Sequence, residues 1–447
     1  MKKVVVENTV CLNTGDAAIL LAIRHILKSA YDGALQFQVF DSQPEVASRL
    51  YPRHDHPDIE IRKLLAESIF KYPYDANRLK NLAKPIYNRL ALSALRHYGT
   101  SRALDETMFS SEDRRSLDIY RQADLVITTG GTYLVENYNL EKRLNQFRID
   151  EALGKNTIFF TQSLGPFDND YNRRELKPAF DRSPLILLRD ERSRRQLAGL
   201  VDDEAKCHVV ADSVFALADV ARIEGALSAA QPPQPTGRVG ISVRHWNYVG
   251  DGAEGMQRYR ESIAAMATTL VRDLGKQVTF VSTCQGVPEY AHDDARTARA
   301  IVAELPPEIA SRVSVDASFH TPEQLMALVK GFDFVIATRM HMMIMSLCVG
   351  TPVLPIAYEF KTRELAKRVG LGDLLLDIDT VMPDEATGKL AAFVSHLRQF
   401  RRTTLAAVLK EHVSAMSAAA LIRPLLADNN SAGVAGNGAH RLEKGAA

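Results

Sequence analysis

The sequence predicts an α/β fold in which two Rossmann-like domains face each other across a cleft. Three observations support this fold class. Short apolar runs recur along the chain, helix-length segments alternate with them, and a proline-rich break divides the alternating pattern into two halves. Alternation of this kind is typical of parallel sheets that are covered by helices on both faces.

The predicted strands are apolar runs of a few residues, most of them rich in β-branched or aromatic side chains. Runs with little polar alternation indicate strands that are buried on both faces, and therefore parallel sheets. The runs lie at 3–6, 37–40, 125–128, 157–160 and 185–188 in the first half, and at 240–243, 278–281, 334–337 and 352–356 in the second.

Helix-length segments with apolar residues at helical spacing lie between these runs. One of them begins with Thr321, which suits an N-cap, and Pro322, which suits a first turn. The segments lie at 17–28, 192–200, 258–274, 293–305 and 321–330. Because ligands of doubly wound sheets bind beyond the carboxyl ends of the strands, we expect the residues after each strand to line the cleft.

The domain boundary is predicted at the proline-rich break over residues 231–237, which separates an N-terminal domain over 1–230 from a C-terminal domain over 238–385. A helical insertion is expected in the first domain at about 50–112. C-terminal helices are expected over 386–428. Residues 429–447 are rich in Gly, Ala and Asn without periodicity, which predicts a disordered tail.

The composition is that of a soluble globular protein, with 46% hydrophobic and 24% charged residues. Lys and Arg total 55 against 54 Asp and Glu, so the charge does not indicate a nucleic-acid partner. The four cysteines lie singly, which predicts reduced thiols. Because the N-terminus is unlike a signal peptide and no apolar run reaches the about 20 residues of a spanning helix, we expect a cytoplasmic protein. Peripheral contact with the inner face of the membrane and the oligomeric state are left open.

The first candidate motif is Asn-Thr-Gly-Asp at 13–16, between a predicted strand and a predicted helix. Gly15 permits a tight turn, and the N–H groups that follow Asn13 form an anion site at the helix end. An ordinary strand–helix turn explains the same residues equally well.

Two further motifs follow strands of the first half. Gly130 and Gly131 let the backbone approach a ligand closely, although paired glycines are common in turns. The motif at 162–166 is predicted as a loop in which Ser163 offers a hydroxyl to a sugar or a phosphate, and a plain tight turn is the alternative.

Charged residues follow three predicted strands of the second half: Arg244 and His245, then Arg339 and His341, then Glu359 and Lys361. An arginine at a strand end presents a planar fork that suits carboxylate and phosphate. His341 is a proton carrier near neutral pH, beside the positive end of a predicted helix. A surface salt bridge for Arg244 and a buried, hydrogen-bonded His341 are the alternatives.

Taken together and in this order, the motifs resemble the polysaccharide pyruvyltransferase family over about residues 8–365. The matching pieces are N-T-G-D, G-G-T, Q-S-L-G-P, R-D-E-R-S, A-D-S, S-V-R, T-R-M-H, G-T-P-V and E-F-K. The family often has three consecutive glycines, whereas Thr132 takes the third place here. The segment at 50–112 matches no motif.

The resemblance implies a fold like that of GT-B glycosyltransferases and a transfer of the pyruvyl group from phosphoenolpyruvate to a sugar or lipid-linked oligosaccharide, as a ketal. It puts His341 at the catalytic centre, Arg244 and Arg339 on the donor, and Lys361 near it. Asp16 is then a candidate base for a sugar hydroxyl, or merely a helix cap. We expect no metal and no cofactor.

Two other functions stay open at this point. A GT-B glycosyltransferase that uses a nucleotide sugar would share the cleft and the glycine-rich turns. A non-catalytic protein that binds a glycan or an anion would share the cations, but it would have no need of a proton carrier.

Overall fold

The computed structural model describes residues 1–72, 78–231, 234–246 and 251–427, with the backbone alone for 78–82 and 400. Within these residues the chain forms two parallel β-sheets with helices on their faces, which confirms the predicted α/β fold class. The tail predicted over 429–447 lies outside the described residues, as do residues 232–233 of the predicted break.

The first sheet is eight-stranded within the described residues, in the order β3-β2-β1-β4-β6-β7-β8 with β5 also beside β6. Its strands are β1 (Lys2–Thr9), β2 (Leu35–Asp41), β3 (Ile59–Lys63), β4 (Leu125–Thr128), β5 (Gly131–Leu134), β6 (Thr157–Leu164), β7 (Ile186–Leu188) and β8 (Cys207–Val209). All of its pairings are parallel.

The second sheet is six-stranded within the same described ranges, in the order β11-β10-β9-β12-β13-β14. Its strands are β9 (Arg238–Ser242), β10 (Gln277–Phe280), β11 (Val313–Val315), β12 (Phe334–Ala337), β13 (Val353–Ala357) and β14 (Leu376–Asp377). In both sheets the strand order reverses beside the first strand, so β1/β4 and β9/β12 are the places where a doubly wound sheet opens a crevice.

The helices cover both sheets. They are α1 (Thr14–Ala30), α2 (Pro44–Leu50), α3 (Leu65–Ile69), α4 (Arg78–Arg96), α5 (Arg102–Met108), α6 (Ser111–Gln122), α7 (Glu141–Ala152), α8 (Asp170–Arg182), α9 (Glu191–Gln196), α10 (Val220–Ser228), α11 (Gly252–Arg272), α12 (Asp294–Ala303), α13 (Pro307–Ala310), α14 (Pro322–Val329), α15 (Met340–Cys348), α16 (Phe360–Arg368), α17 (Pro383–Ser395) and α18 (Leu397–Leu426). Short 3₁₀ turns lie at Glu204–Lys206, Ser213–Leu217 and Gly372–Leu374.

The prediction of a loop at 162–166 was wrong for its first three residues, which belong to a strand. Strand β6 continues through Gln162 to Leu164, because β5 resumes after the glycine turn and pairs with it at Gly131–Gln162 and Leu134–Leu164. The sequence analysis did not predict β5, nor β3 inside the segment expected to be helical. Strand β3 alternates its isoleucines with Glu60 and Arg62, so it lacks the apolar run by which the other strands were recognised.

One hydrophobic core runs through both halves and includes residues of both sheets, α1, α15 and α18. Of the described helices, α18 alone is long and apolar enough, by length and composition, to cross a membrane. Its buried residues include Leu405, Val408, Ala415 and Ile422, which recur at helical spacing and belong to this core. The helix packs against α1 and the 3₁₀ turn Ser213–Leu217, so one face of it is covered by the first half.

Candidate active site

The carboxyl ends of the two sheets meet at one cavity of about 500 Å³. It is lined by residues that follow β1 and β4 in the first half, and by residues that follow β9, β12 and β13 in the second. The cavity therefore lies where the strand orders of both sheets reverse, as expected for the ligand crevice of such sheets.

Cationic side chains outnumber acidic ones in the lining of this cavity. Within the described residues, its lining includes six Lys and Arg side chains, namely Lys142, Arg143, Arg189, Arg244, Arg339 and Lys361. Its acidic lining residues are Asp16 and Glu359. Such a surplus of cations in a crevice suits a ligand with more than one negative charge.

The N-terminus of α1 lines the cavity on the side of the first half. Asn13 caps the helix by accepting a hydrogen bond from the N–H of Gly15 at 2.9 Å, and its amide donates to Asp16 at 2.8 Å. Burial raises the pKa of the Asp16 carboxyl above its ordinary value, against the opposing charges of His341 and Lys361. Asp16 is thus a stronger base than an exposed aspartate once it is ionised.

The same helix end is joined directly to the second half. The N–H of Thr14 donates to the carbonyl of Thr283 at 3.0 Å, and the Thr14 hydroxyl donates to the carbonyl of His320 at 2.7 Å. A Cβ built on Gly15 would lie 2.7 Å from Nδ1 and 2.8 Å from Cβ of His341. Glycine is required there because the imidazole occupies the space of a side chain.

His341 lies between this helix end and a buried carboxylate. Its Nε2 is 3.7 Å from Asp212 Oδ2 and has no hydrogen-bond partner within the described residues. Burial opposes ionisation of Asp212, but the contact with His341 and the charge of Arg189 outweigh it and hold the pKa of this carboxyl well below its usual range. Asp212 therefore keeps a negative charge beside the ring.

Arg189 holds Asp212 in place, and each of its three side-chain nitrogens donates a hydrogen bond. Its Nη1 donates to Asp212 at 2.6 Å, its Nε to the Ser163 hydroxyl at 2.6 Å, and its Nη2 to the Thr132 hydroxyl at 2.5 Å. Lys361 from the second half donates to the same Thr132 hydroxyl at 3.2 Å and pairs with Glu359 at 2.6 Å. Thr132 thus connects a cation of each half at the cavity.

The two arginines predicted to bind the donor are held differently. Arg339 donates through Nε and Nη2 to both oxygens of Asp294, at 2.9 and 2.6 Å, in a bidentate pair that is almost fully buried. Arg244 packs against two aromatic rings that also contact each other, with its Cζ 4.3 Å from the centroid of Trp246 and 4.1 Å from that of Tyr358. Its guanidinium has no ion-pair partner in the described part of the chain, and its Nε is buried without a hydrogen bond. A half-buried cation without an ion pair at a cavity indicates an anionic ligand.

The glycine turn closes the site from the first half. A Cβ on Gly130 would lie 2.6 Å from the Thr161 hydroxyl and 2.9 Å from the carbonyl of Phe160. The turn therefore packs against β6 too closely for any residue but glycine. Gly131 has a φ of +131°, which glycine adopts without strain. Both glycines line the cavity, as do Asn13 and Asp16.

Three of the predicted site residues lie apart from the cavity lining. Ser163 is fully buried in β6, where its hydroxyl donates to Asp190 at 2.8 Å and accepts from Arg189, so it supports Arg189 from behind. His245 is exposed and Gly15 contacts His341 without itself lining the cavity. Within the described residues, no group of three His, Cys, Asp or Glu side chains is arranged to hold a metal ion.

The sequence analysis missed Asp212, Asp294 and Arg143 as functional candidates. Asp212 was part of the A-D-S motif, but nothing in that motif indicates that it faces a histidine about 130 residues away in the chain. Asp294 begins α12 and resembles a helix-capping residue. Arg143 lies one turn inside α7 among other charged residues, so only the fold directs it to the cavity.

The two-sheet fold with its ligand crevice at the switch points is of the GT-B type. Within that class, the chain belongs to the polysaccharide pyruvyl transferase family, whose family model matches residues 13–359. The protein is therefore a transferase with a role in polysaccharide modification.

A relative in sequence is a polysaccharide biosynthesis protein, and solved structures share the fold. The chain is 23% identical over 433 residues to the amylovoran biosynthesis protein AmsJ of Erwinia amylovora, covering 92% of this chain and 97% of AmsJ. It is similar in structure to HepE of Anabaena in complex with UDP, with a TM-score of 0.52, 12% identity, and coverage of 95% and 99% of the two chains. A UDP-GlcNAc 2-epimerase from Neisseria meningitidis bound to UDP-GlcNAc has the same TM-score, identity and coverage. Identities this low indicate the fold alone.

Proposed function

We propose that the protein transfers the pyruvyl group of phosphoenolpyruvate to a sugar of a cell-surface polysaccharide or of its lipid-linked precursor, forming a ketal and releasing phosphate. The observation that carries this proposal is a cavity lined by six cations, two of them without an ion pair in the described residues, in which His341 is fixed between Asp212 and the N-terminus of α1. The donor carries both a carboxylate and a phosphate, and the reaction needs a proton carrier beside them.

The second half supplies the cations for the donor. Arg244 has a guanidinium without an ion-pair partner in the described residues, and its contacts with the rings of Trp246 and Tyr358 help to hold it in place. Arg339 uses its Nε and Nη2 groups to bind Asp294, so its Nη1 group is available to the ligand. Lys361 is held by Glu359 and Thr132 and adds a third positive charge.

His341 is the proposed general acid. Protonation of the methylene carbon of phosphoenolpyruvate makes C2 an oxocarbenium-like electrophile. A sugar hydroxyl then forms a C–O bond at C2, the C–O bond to phosphate breaks, and a second hydroxyl closes the ketal ring. Each hydroxyl loses its proton as it attacks, and His341, left without its proton by the first step, accepts one of them.

Asp212 and Asp16 assist the histidine from two sides. Asp212 orients the ring and stabilises the positive charge of its protonated form, because Asp212 stays ionised next to Arg189. Asp16 is the proposed base for a sugar hydroxyl, and its raised pKa suits this task.

The donor is tested by calorimetry of the wild-type protein with phosphoenolpyruvate and, separately, with UDP-glucose and UDP-GlcNAc. We expect phosphoenolpyruvate to bind, and His341→Gln to retain that binding while losing phosphate release. Binding of a UDP-sugar without binding of phosphoenolpyruvate would overturn the proposal in favour of a glycosyltransferase.

The cytoplasmic location and the contact with a membrane also remain proposals. Ile86 and Leu90, on one face of α4, are 63% and 58% exposed and lie beside the exposed Arg89. An apolar and basic helix face of this kind suits the surface of an anionic bilayer. Flotation with vesicles that contain anionic lipid should carry the wild type but not an Ile86→Ser, Leu90→Ser variant, and equal flotation would refute the contact.

A further inference from the structure

Arg143 is a cation of the cavity that the proposed donor site does not use. It lies on α7 in the first half, whereas the three cations assigned to the donor follow strands of the second half. Within the described residues it forms no ion pair with a carboxylate, unlike its neighbour Lys142, which pairs with Glu67 at 2.8 Å. Its positive charge is therefore available to bind an anionic ligand.

The position of Arg143 is fixed by Asn8. The Nη1 group of Arg143 donates to the Asn8 side-chain oxygen at 2.8 Å, and the Asn8 amide donates to the Thr128 hydroxyl at 2.9 Å. Asn8 is 1% exposed and has a φ of +61°, at an irregularity of β1 where its register with β2 shifts. Strained backbone of this kind is retained at sites where it directs a side chain.

Tyr133 supports the guanidinium from another side. The centroid of its ring is 5.1 Å from Arg143 Cζ, and its hydroxyl donates to the carbonyl of Thr129 at 2.5 Å and contacts the Thr128 hydroxyl at 2.7 Å. The Tyr133 ring and the Asn8 side chain thus hold the Arg143 guanidinium in a fixed position at the cavity. Such preorganisation lowers the ordering cost of binding an anion.

Tyr138 lines the same cavity, and half of its surface is exposed. An exposed aromatic ring offers a flat apolar face with a polar tip, which suits the stacking of a sugar ring. The first half of the chain therefore contributes an aromatic ring as well as a positive charge to the cavity wall.

We propose that Arg143 binds a negatively charged group of the acceptor, so that the acceptor is an anionic sugar. This inference rests on the proposed function, because it assigns the donor to the cations of the second half. The group recognised is a carboxylate or phosphate oxygen, which a uronic acid and a sugar phosphate of a lipid-linked precursor both provide.

The test uses the His341→Gln protein, which is expected to bind phosphoenolpyruvate without consuming it. Calorimetry with saturating phosphoenolpyruvate compares methyl glucuronide, glucose 1-phosphate and the neutral methyl glucoside. A charged sugar should bind about 10-fold more tightly than the neutral one, as expected for a charge-assisted contact. Preference for the glucuronide identifies a carboxylate acceptor, and preference for glucose 1-phosphate identifies a phosphorylated one.

Adding Arg143→Met should abolish this preference and leave the affinity for phosphoenolpyruvate unchanged. Arg174→Met is the matched control, since Arg174 is 68% exposed in its side chain and lies outside the cavity. Equal binding of charged and neutral sugars, or a loss of phosphoenolpyruvate affinity in Arg143→Met, would overturn the inference. If the wild-type protein failed to bind phosphoenolpyruvate, the proposed donor would be wrong, and the inference would be overturned with it.

Discussion

Gly15→Ala tests the contact between the two halves at the proposed catalytic centre. Gly15 lies in α1 with ordinary helical backbone, so alanine would normally stabilise this position by about 0.5–1 kcal/mol. The new Cβ would however lie 2.7 Å from Nδ1 and 2.8 Å from Cβ of His341. Because non-bonded carbon atoms prefer separations of about 3.5–4.0 Å, the overlap is about 0.8 Å.

The helix cannot easily move away to relieve that overlap. Thr14 ties its N-terminus to Thr283 and His320 through two hydrogen bonds, so the imidazole must shift instead. A displacement of about 1 Å in a catalytic group costs on the order of 10²-fold in rate. We therefore expect a loss of that order in turnover, with phosphoenolpyruvate still bound by the arginines.

Phosphate release measures turnover, and the fluorescence of Trp246 measures donor binding. Trp246 is the single tryptophan of the chain and stacks on Arg244, so it reports directly on the donor site. Gly388→Ala is the matched control, because a Cβ on Gly388, also in a helix, meets no atom within 4 Å. Wild-type turnover in Gly15→Ala, with donor binding intact, would refute the assignment of the proton carrier to His341.

Four further outcomes are expected. His341→Gln should lower turnover by about 10²–10⁴-fold, the usual share of a general acid, and near wild-type phosphate release would contradict this. Arg244→Ala should weaken phosphoenolpyruvate binding in calorimetry without lowering the melting temperature, because no described carboxylate depends on it; unchanged affinity would count against its role. Arg339→Ala should cost about 3–5 kcal/mol of folding stability in denaturant titrations, since it leaves the buried Asp294 unpaired, and unaltered stability would show that the pair matters little. Activity should fall as the pH drops through the raised pKa of Asp16, because only the ionised carboxylate accepts a proton, and the residual activity of Asp16→Asn should lack that acid limb.

The sequence predicted the elements that have strong local patterns. The apolar runs at 125–128 and 334–337 coincide with β4 and β12, since strands buried on both faces have an apolar run as their signature. The residues directly after β1, β4, β9 and β12 line the cavity because the carboxyl ends of parallel strands meet at one edge.

The remaining features depend on packing that no local pattern records. Ser163 was predicted in a loop, but it is buried in β6 because β5 extends the sheet beside it. Arg339 was predicted to be free for the donor, but a carboxylate 45 residues earlier in the chain occupies one edge of its fork. The contact of Gly15 with His341 joins two motifs more than 300 residues apart, and only the assembled cleft brings them together.

The donor is the central claim, and transfer of carbon tests it most directly. The protein is incubated with phosphoenolpyruvate labelled with carbon-13 at C2 and with glycan or lipid-linked sugar extracted from the cells that make it. The account predicts that the label appears in the sugar fraction as a ketal carbon, in step with phosphate release, and that His341→Gln abolishes both. Phosphate release without label in any sugar, or label transfer that persists in His341→Gln, would contradict the account.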